Sequence, residues 1–214
     1  MSHPDLLDVL NGSLEDRLSE IETLEFEIVR LFRENSDNFH GSHEYFFFLA
    51  GALKRTLCNS SGFRSLVKSK NFTCAAPIVR MQIDTAMRVN GLSLVESPDE
   101  FCKKLVSGMT FDKMKCRDDK LLKDSYLREK LSKDYSWIDP VYRAASDTIH
   151  LSVRHFRSSI IDPVSFGGSI TLEISTEDPW FDESMYFEAF DVFFRATELA
   201  AALTLRHLSS RRKR

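Results

Sequence analysis

Eight glycines and six prolines are all that this chain of 214 residues offers to interrupt a helix. These are the two residue types that weaken a helix interior most. Their scarcity directs the chain toward long helices, and the breaks fall at identifiable places. Asn11-Gly12 stops a short N-terminal turn, and Ser13 stands three residues before Asp16, an approximate capping box. Leu14, Leu18, Ile21, Ile28 and Phe32 then recur at helical spacing, which predicts a helix over 13–35. After ENSDNFHGS a second helix is expected over about 43–58, apolar all round from Tyr45 to Leu53. CNSSGF reads as a further break, followed by a short helix near 61–69. The segment 72–90 predicts another helix, kinked or started by Pro77. Ser97-Pro98 with acids behind it marks the start of a helix that ends at Gly108.

The stretch 109–124 is highly charged and weakly periodic, so it reads as a solvated loop or marginal helix. SYLREKLSKDY predicts a short helix, and Asp139-Pro140 opens another over 138–152. The final helix is expected over 182–208, capped by Asp182 and rich in Ala and Leu. One region departs from this pattern. IIDPVSFGGSITLEIS sets β-branched residues around Gly167-Gly168, a two-residue hairpin signal, with Ser169–Ile174 as the better strand. The expected fold is therefore all-α: a single helical bundle over 1–208 with a small β-hairpin insertion near 159–175. A basic tail, 209–214, follows.

Composition narrows the function. Hydrophobic residues make up 43% and include 17 Phe, enough for a core. Net charge is −3, so no global basic field argues for nucleic acid. Only SSRRKR is densely basic, and it reads as a solvated, frayed end. The N-terminal residues carry no basic region followed by an apolar run, and the longest apolar run, YFFFLAGAL, is too short to cross a bilayer. A cytoplasmic protein without membrane contact is expected. Cys58, Cys74, Cys102 and Cys116 form no CxxC pair and read as reduced thiols.

Two polar constellations stand out. The first lies in the predicted helix 138–152 and its end, DTIHLSVRH. Arg143 and His150 are seven residues apart, two helical turns, with Asp147 between them at i+4 of the arginine. An arginine holds a phosphate bidentately, and a histidine moves protons near neutral pH. The second is Arg80, Asp84 and Arg88, at i, i+4 and i+8 of helix 72–90. It reads as a salt-bridge ladder, or, bordering the core and facing the His150 stripe, as an anion-binding row. Metal binding is disfavoured. His40 and His43, or His150 and His155, supply only pairs, while zinc needs three or four convergent ligands. No GxSxG, phosphate loop or GxGxxG occurs, so no cofactor is expected. The simplest reading of DTIHLSVRH is structural, with His150 capping the last carbonyls of its helix.

Arg143-x6-His150, on a helix of an all-α bundle of this size, resembles the Arg-x(4–6)-His motif of the HEPN family of nucleotide-binding and RNase domains. The family usually carries a polar residue after the arginine, where this chain has Ala144. The resemblance implies a bundle that forms a homodimer, with two such motifs facing one another in a composite cleft. It also implies metal-independent endoribonuclease activity of a toxin or antiviral-defence type. His150 would deprotonate the 2′-hydroxyl or protonate the leaving group, Arg143 would stabilise the phosphate, and Asp147 would orient one of them. Arg80, Asp84, Arg88, Ser152 and His155 would contact RNA. The alternative is a non-catalytic helical module that binds a nucleotide, an RNA or a protein partner.

Overall fold

In the computed structural model the described residues are 12–37, 39–150, 155–156, 159–162, 171–178 and 184–211. They form seven helices around one core: α1 (Leu14–Ser36), α2 (His43–Lys68), α3 (Phe72–Gly91), α4 (Pro98–Val106), α5 (Asp124–Asp134), α6 (Ile138–Ser146) and α7 (Ser184–Ser209). The all-α bundle expected from the sequence is present. Helix α1 starts where its capping box places it. The Ser13 side chain accepts from Asp16 N, and Ser13 N donates to Asp16 Oδ2 at 2.8 Å. Helix α4 likewise starts at Pro98, behind a Ser97 cap that accepts from Glu100 N.

Helix α2 corrects the reading of CNSSGF as a break. It runs without interruption to Lys68. Asn59 and Ser60 there are buried against other helices instead of facing water. Asn59 Nδ2 donates to Gln82 Oε1 at 2.8 Å, and Gln82 Nε2 donates to Thr197 Oγ1 at 3.1 Å. Gly62 faces Ile78 of α3, and a methyl group on it would make an ordinary contact at 3.6 Å. Tertiary packing thus overrides weak local helix propensity. Pro77 also sits inside α3, five residues beyond its first residue Phe72, and does not mark its start.

The core centres on α3 and α7, which pack on each other and on α2. Phe63 stacks on Phe193 with ring centroids 4.1 Å apart, and Phe190 meets Phe63 edge-on. All three are buried. Each such ring contributes about 1.5–3 kcal/mol through burial. Helix α1 is fastened to α7 by an ion pair, Arg17 Nη1 to Asp191 Oδ1 at 2.5 Å, with both side chains almost fully buried. Arg17 also lies over the Phe187 ring. At the far end of α3, Gly91 lets α5 approach. A Cβ there would meet Leu127 at 3.0 Å and Phe111 at 3.1 Å.

The stretch 109–124 is more ordered and more buried than its charge suggested. It contains a 3-10 turn at Phe111–Lys113 and an isolated antiparallel bridge between Lys115 and Leu121. Phe111, Met114, Cys116 and Leu122 all enter the core. The apolar residues are too widely spaced to show a period, yet each is inserted from an irregular backbone.

Helix α6 ends at Ser146, six residues earlier than expected. Ser146 Oγ donates to Tyr142 O and Thr148 Oγ1 to Ala145 O, both at 2.7 Å. Thr148 N and Ile149 N bond three residues back, so the last turn tightens and stops. Ser and Thr offer the backbone this competing set of bonds. Further on, Ile160–Asp162 pairs antiparallel with Thr171–Leu172 in an irregular register. With residues 163–170 outside the described residues, this short, irregular ladder is not enough to support the hairpin insertion expected near 159–175. Gly167-Gly168 lies outside the described residues, as do Ser152 and the proposed cap Asp182. The chain is pinned again at Asp178, whose Oδ2 accepts from Phe72 N and Thr73 N at the start of α3.

The beginning of the basic tail is anchored and not frayed. Arg211 Nη2 lies 3.1 Å from Asp99 Oδ2, and its carbonyl accepts from His40 N at 2.8 Å. Residues 212–214 lie outside the described residues.

Candidate arginine cleft

The early end of α6 separates the residues expected to share one stripe. Arg143 is on the last turn of α6, Asp147 is its C-terminal flanking residue, and His150 lies beyond the helix. All three are exposed. Arg143 is paired with Asp139, one turn before it, and not with Asp147: Nε lies 2.9 Å from Asp139 Oδ2. Seven residues no longer bring His150 back over Arg143 once the helical rise is lost. His155 is half-buried, on the far side of residues that are not described.

The second constellation is where α3 places it, and it reaches further than a ladder on one helix. Asp84 accepts at 3.4 Å from Arg88 and lies 3.9 Å from Arg80. It also takes Arg55 of α2 at 2.9 Å. Arg88 Nη2 reaches Asp124 of α5 at 2.5 Å. Arg80 lies over the Tyr142 ring, 3.6 Å from its centroid, and donates to the Tyr142 hydroxyl. Its Nε is buried without a partner. The row therefore faces α6, but it meets Tyr142 and not His150.

Tyr142 is the hinge between the two constellations. Arg128 of α5 also lies over its ring, at 4.7 Å, and Arg128 Nε is 2.8 Å from Asp139 Oδ1. Burial raises the Tyr142 phenol above its ordinary pKa, and the flanking guanidiniums oppose that rise. The neutral phenol and two stacked cations are thus mutually compatible. Five arginines (55, 80, 88, 128 and 143) share three aspartates (84, 124 and 139), which leaves two positive charges along this ridge.

The ridge ends in a cleft of about 400 Å³ between α5 and α6, lined by Ser125, Arg128, Ser132, Lys133, Asp139 and Arg143 among others. Asp139 accepts from Arg143 Nε through Oδ2 and forms an ion pair with Arg128 Nε through Oδ1. The Nη groups of Arg128 and Arg143 carry no hydrogen bond among the described residues. Ser132 Oγ is buried there with no partner. Held guanidiniums with outward Nη donors suit an anion with several oxygens.

From the sequence alone Asp139 reads only as a helix start, and Arg128 and Tyr142 do not read as site residues. Asp139 was accessible to the i, i+4 rule, which favours an acid N-terminal to its base and so pairs Arg143 backward in preference to forward. Arg128 had no local signal, because it joins the site only through the packing of α5 on α6. Among the described residues no three His, Cys, Asp or Glu side chains converge as a metal site, and no helix is long and apolar enough to cross a membrane. No family model, curated protein or solved structure matches the chain.

Proposed function

We propose that the chain is a non-catalytic helical module that binds a phosphate-bearing ligand, a nucleotide or an RNA backbone, in the α5–α6 cleft. The observation that carries this reading is the sharing of Asp139 by Arg128 and Arg143. It fixes two guanidiniums at one mouth and leaves their Nη donors unused. Lys133 and Glu129, 3.5 Å apart, also line the wall and offset one another, so the net positive charge comes from the two arginines against Asp139. Fluorescence anisotropy with a labelled single-stranded oligonucleotide, competed by free nucleotide, tests it. Binding should weaken by about tenfold or more in Arg128→Ala/Arg143→Ala and fall with added salt. Equal affinity of the double variant, or no binding by wild type, rejects the reading.

The endoribonuclease reading keeps one supporting observation: Arg143 and His150 are both exposed near the end of α6. On that reading a homodimer assembles two such pairs, and the protein acts in the cytoplasm in defence. RNA cleavage in EDTA by wild type, lost in His150→Ala, is the result it requires.

A further inference from the structure

A second cavity lies away from the arginine ridge, between α4 and the irregular chain that follows it. Its volume is about 380 Å³, in the range that small-molecule pockets occupy. Val95, Phe101 and Met114 form its inner wall, each at most 5% exposed, and Met109 stands half-exposed at the mouth. An aromatic ring and two thioethers give a soft, adaptable apolar lining.

The rim is charged, and the charges do not cancel. Lys104, Lys113 and Lys115 face Glu96 and Glu100. Glu100 is taken by Lys103 at 2.8 Å, outside the cavity, and Lys115 is taken by Asp119 at 2.7 Å. Lys104, from α4, and Lys113, from the 3-10 turn, enter no ion pair among the described residues. Two ammonium groups on separate elements therefore stand over an apolar wall, opposed at the rim by Glu96 and, beside Lys113, by Asp112. Such an arrangement favours a ligand whose apolar body enters the cavity while one negative charge stays at the mouth.

We propose that this cavity binds a small amphipathic monoanion: an apolar body carrying a single carboxylate. A long chain or a dianion fits it less well, since the volume is limited and Glu96 repels added charge. The polarity rule is what distinguishes the site from a generic greasy hollow, because an amine of the same length should be excluded.

The methionines supply the readout. Of the six in the chain, Met109 and Met114 line the cavity. Full-length protein labelled with ¹³C at the methionine methyl groups is titrated with octanoate, octanol and octylamine, each to millimolar concentration. Octanoate should shift the Met109 and Met114 signals saturably and leave Met81 and Met87 unmoved. Octylamine should shift neither. Lys104 and Lys113 are exposed, so Lys104→Ala/Lys113→Ala should keep the wild-type spectrum yet weaken octanoate by about tenfold. The proposal is overturned by unmoved Met109 and Met114 signals, by an octylamine response equal to that of octanoate, or by undiminished binding in the double variant.

Discussion

Tyr45 Oη lies 2.7 Å from His207 Nδ1 inside the bundle. The other ring nitrogen, Nε2, lies 3.3 Å from Ser93 Oγ. A neutral imidazole satisfies both contacts, accepting from the phenol at one nitrogen and donating at the other. Burial holds the His207 pKa down to about 4, helped by the nearby Arg206 and Arg211 charges. In the unfolded chain the same group titrates near 6.5. The unfolded state therefore binds the extra proton first. Stability from this pairing is fully present above pH ~6.5 and is lost as the pH falls toward 4. The loss is on the order of 3 kcal/mol. Urea unfolding followed between pH 7.5 and 4 should show it, and His207→Gln should flatten that part of the stability curve relative to wild type.

Arg17 and Asp191 predict an asymmetric pair of variants. Arg17→Met strips a buried carboxylate of its guanidinium and should destabilise by about 3–5 kcal/mol. Arg17→Met/Asp191→Leu removes both charges and should recover most of that loss. Chemical denaturation of the two variants checks the order. A double variant no more stable than the single one would contradict the account of α1 as fastened through this pair.

Asp139 orients the two guanidiniums of the cleft through Nε, but its own charge repels an incoming anion, and an asparagine there would keep one acceptor without the charge. Asp139→Asn should therefore tighten oligonucleotide binding, by about three- to tenfold at low salt. Its effect on stability should stay below about 1 kcal/mol, since its pair with Arg143 is exposed. Anisotropy titrations of the variant beside wild type decide the sign.

Gly91 marks the closest approach of α3 to α5. Gly91→Ala places a methyl group 3.0 Å from Leu127, and both neighbours of the new atom belong to the core. Overpacking of this kind costs about 1–3 kcal/mol. Thermal melting should fall by several degrees, and Leu127→Ala in the same chain should relieve part of the clash.

Much of this fold was legible because caps and period speak in the same voice. Ser13, Ser97 and Pro98 begin helices where their chemistry says they should. Two of the misreadings turn on side-chain hydrogen bonds whose partners the residue types alone do not reveal. Asn59, Ser60 and Gly62 look like a break until Gln82 of another helix supplies a partner. Ser146 and Thr148 look like mid-helix residues until their hydroxyls turn back on the backbone. In the first case a distant residue rescues the helix, and in the second a local bond ends it. The candidate site divides the same way. Arg80, Asp84 and Arg88 were visible as a spacing on one helix, whereas Arg128 and Tyr142 join them only through the packing of α5 and α6.

The Asn59–Gln82–Thr197 chain of bonds carries a consequence for how narrowly the fold is defined. Leucines and alanines on α2, α3 and α7 would tolerate many mutual rotations, because greasy surfaces slide past one another with little penalty. Three amides and hydroxyls at one level do not. Turning any of the three helices by a single residue, 100° of rotation, would strand at least one of these groups in a dry interior. The bonds thus act as a key cut to one orientation. Their worth lies less in energy added to the native arrangement than in the competing arrangements they forbid.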